Sequence, residues 1–555
     1  MTIRFGWRFV AAVLSMTACA AAGAAVKPAS IFTDNAVLQQ KQPVPVWGTA
    51  DPNEPIEVII NGQSVKTVAD ATGAWSVKLK AIPAGGPYTL TINGTPSDTV
   101  TLNNILVGEV WICGGQSNME YPMKGWVQPA FTKDAIPTSA DPQLRYLSVA
   151  YTVGITPKSA VGGVWQVATV DTVPNLSAVG YFFARELRKS LGVPVGLIND
   201  NWGGTPAEAW TSREALETVP SLKRYLDEEA SYPARFTKMM DDYNAKLEKY
   251  NADKAKFDAD VATAKANATP VPTNAPQSPR KPATYETWPN GASHLYNGKL
   301  APVIPYGIRG AIWYQGESNG GSGFEYKTLF PTMIADWRAR FGQGNFPFLF
   351  VQLAPHMGMN TTPLPKTAGS WAELREAQRL TLQASPNTGM AVITDIGDVK
   401  DVHPRRKEQV GVRLALIAKA TVYGDKKIEY SGPVLDKIKT EGSKVRVSFT
   451  HADGLKSIDV HDATDDGPQV AFANKLVGFE VAGDDGVYAA ADAVIDGKTV
   501  VLSSPNVTAP VSVRYGWANY PIANLSNGAG LPASPFKTDN WPWGSEPKPQ
   551  LAPAK

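Results

Sequence analysis

The apolar run Ile105–Cys113, closed by Gly114-Gly115, is the feature that most constrains the fold. A continuous apolar run bounded by turn residues reads as a strand buried on both faces, as found in parallel sheets covered by helices. Further strand candidates are Gln143–Val149, Val195–Asn199, Gly310–Tyr314, Phe348–Leu353 and Met390–Asp395. Helical patterns such as Gly180–Leu191 and Trp371–Leu382 fall between them. That alternation predicts an α/β unit over 105–424 with a mostly parallel sheet and helices on both faces.

The flanks read differently. Residues 26–104 are expected to form a small β-sandwich or barrel: Ile56, Val58 and Ile60 alternate up to an Asn61-Gly62 turn, and Trp75, Val77 and Leu79 alternate after it. Residues 425–545 turn all-β again (Val445, Val447 and Phe449; Val511, Val513 and Tyr515), and 546–555 form a tail. Inside the α/β unit an insertion over about 212–290 carries Phe236, Met240, Tyr243, Leu247, Tyr250, Phe257 and Val261 at heptad spacing. This predicts a long helix, with Leu216, Val219, Leu222 and Leu226 as the facing strip of an antiparallel helical hairpin. A Pro/Asn/Thr-rich loop returns from Thr269 to Ala283.

Arg4 and Arg8, then the apolar run Phe9–Ala18 and Ala22-Gly23-Ala24-Ala25, read as a cleaved export signal over 1–25. Cys19 offers a lipoprotein alternative, and no stretch is long enough to span a membrane. Export predicts a periplasmic or secreted protein. Of the two cysteines only Cys113 lies beyond the leader, so neither an intramolecular disulfide nor a cysteine zinc site is expected. A net charge of +2 leaves no field for a polyanion, so nucleic acid is not an expected partner.

The chemistry starts at Gln116-Ser117-Asn118-Met119-Glu120. A serine after a strand-ending glycine turn sits at the sheet rim, where ligands bind in open α/β folds. The competing reading is a Ser-Asn helix cap. A serine nucleophile needs a base. There are five histidines: His294, His356, His403, His451 and His461. His403 follows the last strand in an Asp-rich loop, Asp398-Val399-Lys400-Asp401-Val402-His403-Pro404, on the same rim as Ser117. A carboxylate beside it would fix the imidazole tautomer. Two further strand ends, Asn199–Thr205 with Gly203-Gly204 and Trp313–Asn319 with Gln315, offer donors for an oxyanion hole.

These blocks (Gly115–Met119, Gly203-Gly204-Thr205, Tyr314–Asn319 and Asp401–Pro404) resemble the signatures of the sialate O-acetylesterase-like family of SGNH hydrolases. The resemblance runs from about Ile31 to Phe536. It implies a three-layer α/β/α core with a helical insertion, flanked by β-sandwich-like domains. It also implies Ser117 as nucleophile, His403 as general base, and an oxyanion hole of the Ser117 amide, the Gly204 amide and the Gln315 side chain, with Asn319 as substitute. The wider class places Asp three residues before His, where this chain has Lys400; Asp401 fits the family's Asp-x-His-Pro form, and Asp398 is the fallback. No cofactor or metal is implied. The implied reaction is hydrolysis of acetyl esters on sugar hydroxyls through an acetyl-enzyme. The partner is then an acetylated oligosaccharide or polysaccharide, with acetylated hemicellulose (xyloglucan or xylan) favoured. The alternatives are a sialate O-acetylesterase, for which Arg375 and Arg405 are candidate carboxylate partners, and a non-catalytic carbohydrate-binding protein.

Overall fold

A computed structural model describes residues 25–94, 98–126, 132, 134–356, 371–461, 469–470, 472 and 474–547. The leader reading, apart from Ala25, and the tail beyond residue 547 lie outside the described residues.

The central sheet is built from β1 (Thr99–Gly115), β2 (Asp141–Ser148), β3 (Trp165–Ala168), β4 (Val195–Asn201), β5 (Gly310–Tyr314), β6 (Phe348–Val351) and β7 (Thr388–Ala391). Their order is β3-β2-β4-β1-β5-β6-β7, parallel except for β3, which pairs antiparallel with β2 at the edge. Successive side chains leave a strand on opposite faces. Trp111, Cys113, Ile312, Leu349 and Val351 accordingly join one apolar core with Val179, Phe182, Phe183, Val410 and Leu414. Val110, Ile112, Trp313, Phe348 and Phe350 join the other with Leu329, Phe330, Met333, Trp337 and Leu374. Helices α1 (Ser117–Glu120) and α2 (Ala178–Leu191) come first in the chain. They are followed by α3 (Tyr232–Ala266), α4 (Gly323–Phe341), α5 (Trp371–Ala384) and α6 (Lys407–Ile417). Thus α2 and α6 cover one face of the sheet and α4 and α5 the other.

β1 is longer than the apolar run that announces it. Over its 17 residues it pairs antiparallel with Gly85–Asn93 in its first half, and parallel with β4 and β5 in its second. The boundary read at 104/105 therefore falls inside one strand. The Asn61-Gly62 turn joins Pro55–Ile60 to Gln63–Val68 with both φ angles positive, 47° and 72°, as a two-residue hairpin requires. The C-terminal strands form two four-stranded sheets around their own core of Val445, Val447, Val481, Leu502 and Val513. They are fastened to the α/β unit by Arg375, whose guanidinium donates to the carbonyls of Leu353, Ala354, Ala518 and Asn519.

The heptad pattern does mark a helix, α3, but the hairpin expectation fails. Leu216, Leu222 and Leu226 are buried in the main core, and Val219 packs against it. The seam positions of α3 stay only half-buried. The segment 269–283 returns along the helix instead, tied at one end by Thr269 N–H to Ala264 O and at the other by Tyr232 O–H to Ala283 O (2.8 Å). Its prolines keep that segment from becoming a helix, and a cleft is left between its end at 279–283 and α3. Among the described residues no helix is long and apolar enough to cross a membrane.

Candidate active site

The carboxyl ends of β4, β1 and β5 lie side by side, with Asn201 and Tyr314 both in register with Gly115. Gly115 has φ +135°, and a Cβ there would stand 2.2 Å from the Tyr314 carbonyl oxygen. Only glycine fits so close a crossing. The chain then turns directly into α1, with Gln116 at the N-cap and Ser117 as the first helical residue. Ser117 is thus not the cap.

Across the rim, His403 Nε2 lies 2.9 Å from Ser117 Oγ. Asp401 Oδ1 lies 3.2 Å from His403 Nδ1 and also accepts the His403 amide at 2.9 Å. Its side chain is 50% exposed, against 26% for His403. Asp398 turns elsewhere: its Oδ1 accepts the amides of Lys400 and Asp401, closing the loop. Burial lowers the His403 pKa from its ordinary 6.5, and the Lys407 ammonium lowers it further, while Asp401 opposes both and His356 adds a small lowering. The imidazole is therefore neutral at pH 7 and able to accept a proton.

Gly203 and Gly204 follow β4. A Cβ on Gly203 would meet Glu120 Oε2 at 2.9 Å and Ser117 Cβ at 3.3 Å, so this loop presses against the serine. The Gly203 amide donates to Glu120 Oε2. Among the described residues the amides of Ser117 and Gly204 donate to no acceptor of the chain. Backbone amides with no acceptor in the chain are the type of donor that an oxyanion needs.

Gln315 and Asn319 are placed differently from the reading of the sequence. Gln315 is fully buried, and its amide nitrogen donates to Asn319 Oδ1 (2.6 Å) and Thr205 O (3.3 Å) while its oxygen accepts from Tyr326 O–H (2.9 Å). Asn319 Nδ2 donates to Glu208 (2.9 Å), and its oxygen also accepts the Ala207 amide (3.0 Å). Both amides hold the β4 and β5 loops together. Arg375 is likewise occupied by backbone carbonyls, and burial lowers its pKa to about 9. Arg405 lies half-buried two residues beyond His403. Of the other histidines, His294 is buried beside Glu229 and His451 pairs with Glu429, while His356 meets the Asp398 carbonyl of the loop that carries His403; the side chain of His461 lies outside what is described.

Residues that sequence reasoning passed over bind this site together. Asn118 is fully buried; its Nδ2 donates to the Val402 carbonyl (2.9 Å) and to Glu317, and its Oδ1 accepts from Lys407 Nζ. It thereby ties the serine's helix to the residue preceding His403, to the β5 loop and to α6. Burial raises the Glu317 pKa, partly offset by the Asn118 bond and the Lys407 charge. The available signal was position, since Asn118 adjoins Ser117 and Lys407 stands four residues after His403. Trp126 packs edge-on to His403 with ring centroids 5.0 Å apart.

A cleft of about 620 Å³ opens from Trp202, Gly203 and Gly204 toward Met239, Tyr243 and Lys246 of α3 and the return segment at Arg280 and Lys281. A second, of about 460 Å³, lies between Glu120, Trp126, Tyr151 and Asn199. Among the described residues no group of three or more His, Cys, Asp or Glu side chains converges to hold a metal ion.

Residues 283–418 match the family model for a carbohydrate esterase, sialic acid-specific acetylesterase. A solved carbohydrate acetylesterase from Xanthomonas citri is 36% identical and superposes with a TM-score of 0.72, over 93% of this chain and 100% of that one. The sialate O-acetylesterase of Mus musculus is 27% identical over 546 residues, 91% of this chain and 93% of the mouse protein. That of Homo sapiens is 26% identical, over 91% of each. With its fold and more than a third of its residues shared with a carbohydrate acetylesterase along nearly the whole length, the chain belongs to the sialate O-acetylesterase-like family of carbohydrate acetylesterases, which are carboxylic ester hydrolases.

Proposed function

We propose that the chain is an exported serine O-acetylesterase of the SGNH type that removes acetyl groups from acetylated hemicellulose, xyloglucan or xylan. The observation that carries the mechanism is the 2.9 Å contact between Ser117 Oγ and a neutral His403 Nε2, beside two unengaged backbone amides. His403 takes the hydroxyl proton as Oγ attacks the acetyl carbonyl carbon. The Ser117 and Gly204 amides receive the negative charge that develops on the carbonyl oxygen. As the tetrahedral species collapses, the C–O bond to the sugar breaks and His403 returns the proton to the leaving sugar oxygen. Water, deprotonated by the same imidazole, then attacks the acetyl-enzyme; acetate leaves and Oγ regains its proton. Asp401 orients the Nδ1 side of the ring and stabilises the imidazolium.

The division into an N-terminal β domain to 104, the hydrolase domain over 105–424 with its insertion, and a C-terminal β domain over 425–545 belongs to the same reading. A polymeric substrate is supported by the insertion, because α3 and its return segment extend the rim into one wall of the larger cleft. Sialate hydrolysis is the second reading, favoured by the vertebrate relatives. It is weakened by the engagement of Arg375, one of the two arginines considered for a carboxylate. Acetate release from acetylated xyloglucan, acetylated xylan and O-acetylated sialic acid, each with Ser117→Ala alongside, tests the proposal. Ser117-dependent release from a hemicellulose is the expected result. Release from sialic acid alone overturns the substrate, and no Ser117-dependent release restores the carbohydrate-binding alternative.

A further inference from the structure

Exposed aromatic rings are few on this surface, and their placement is not random. Among the described residues the exposed large apolar side chains include two aromatics, Trp126 (45% exposed) and Tyr151 (60%), and both line the smaller cleft. An aromatic plane left in water is unfavourable unless a ligand covers it, and concentration of such planes in a concave site marks a binding surface. Each ring is held from behind: Trp126 against Tyr121 (4.8 Å) and His403, and Tyr151 against Trp202 (4.7 Å) and over Lys299 Nζ (5.1 Å).

The floor between them is made of neutral hydrogen-bonding groups, among them Ser148, Gln166, Asn175 and Asn199. The lining also holds one charge of each sign: Glu120 accepts from Gly203 N–H and Tyr151 O–H, and the exposed Lys124 donates to Asn175 (2.9 Å). Aromatic planes over a neutral floor of hydroxyls and amides suit a polyhydroxylated ring, whose C–H face is apolar and whose edge is polar. The volume, about 460 Å³, is within the ordinary range for small-molecule sites.

The linings of this cleft and the larger one touch beside the serine's helix. Tyr151 of one packs on Trp202 of the other, and Glu120 of one holds Gly203 of the other; Gly203 presses on Ser117, and Trp126 packs on His403. We propose that the Trp126–Tyr151 cleft is a sugar subsite, so that the bound glycan crosses Ser117 and the acetylated unit is an internal one with neighbours on both sides. This rests on Ser117 being the esterase nucleophile.

The test compares acetate release from acetylated xylo- and xyloglucan-oligosaccharides of two to six backbone units with release from acetylated methyl xyloside and 9-O-acetylated sialic acid. The expected kcat/KM rises by about tenfold or more with chain length. Trp126→Ala and Tyr151→Ala each remove most of that gain, whereas Tyr151→Phe, which keeps the plane and loses the bond to Glu120, retains it. Calorimetry of unacetylated xylohexaose and of an unacetylated xyloglucan oligosaccharide on Ser117→Ala protein gives a reading free of turnover. The expected Kd for one of them weakens about tenfold when Tyr151→Ala is added. Equal kcat/KM for monosaccharide and oligosaccharide, or a chain-length gain untouched by both alanine variants, overturns the subsite. Absence of Ser117-dependent hydrolysis of every ester, 4-nitrophenyl acetate included, overturns the esterase reading instead, and the calorimetry still decides the subsite. Melting curves of each variant identify any that fails to fold.

Discussion

The two sides of Ser117 are built on opposite principles. Beneath it, Asn118, Gln315 and Lys407 are fully buried and Asn319 is 4% exposed, each engaged by neighbours from other loops. Above it, His403 is a quarter exposed and Asp401 half exposed, joined by a 3.2 Å contact that solvent screens. The difference teaches where precision resides. Buried polar groups with all partners present fix one arrangement, because a missing partner leaves a desolvated group unpaired. The exposed acid fixes little by itself. The geometry of the serine–histidine pair is therefore held mainly from below.

The largest test of that contrast is the serine itself: Ser117→Ala is expected to lower kcat for 4-nitrophenyl acetate by about 10⁴-fold or more, with binding of deacetylated glycan retained. Next, Asn118→Ala frees the His403 loop from α1, and a displacement near 1 Å costs on the order of 10²-fold in kcat. A steady-state comparison in which Asn118→Ala lost less than Asp401→Ala would reverse the contrast. Gln315→Ala separates two roles. Loss of an oxyanion donor costs about 10²–10³-fold in kcat, whereas loss of loop bonds costs about 1–3 kcal/mol of stability. The second is expected, read by urea unfolding, with kcat of the folded protein within about tenfold. Asp401→Ala follows, worth up to about 1 kcal/mol for a solvent-screened pair, or roughly fivefold in kcat. Smallest of all, Lys249→Ala and Lys254→Ala on α3 break the exposed pairs with Asp253 and Asp258. No measurable change in melting temperature or in hydrolysis of a small ester is expected.

The same contrast explains what the sequence could show. Ser117 and Gly204 were legible because each comes within three residues of a strand end, and His403 because it lies on the loop after the last strand; the carboxyl ends of parallel strands share one rim. The helix α3 was legible through its spacing. What faces it was not, since a heptad seam does not name its partner, and Leu216, Leu222 and Leu226 were claimed by the main core. Gln315 was visible as an amide at the rim. Its partners Thr205, Asn319 and Tyr326 come from two loops and a helix, so its engagement exists only in the folded chain. The start of β1 at Thr99 was hidden because Thr99–Asn104 alternates in exposure, while the run that announces the strand begins at Ile105.

The most direct test is the pH dependence of covalent labelling of Ser117 by a fluorophosphonate, followed by mass spectrometry, in the natural chain and in Lys407→Met. Protonated His403 cannot accept the hydroxyl proton, so labelling is lost as the pH falls through the His403 pKa. Burial and the Lys407 charge disfavour the imidazolium, so the midpoint is predicted below the ordinary 6.5, and Lys407→Met moves it upward. Labelling confined to Ser117 with that displaced midpoint is the predicted result. An adduct on another residue, or a midpoint above 6.5 that Lys407→Met leaves in place, would contradict a serine activated by a histidine that the buried network holds neutral.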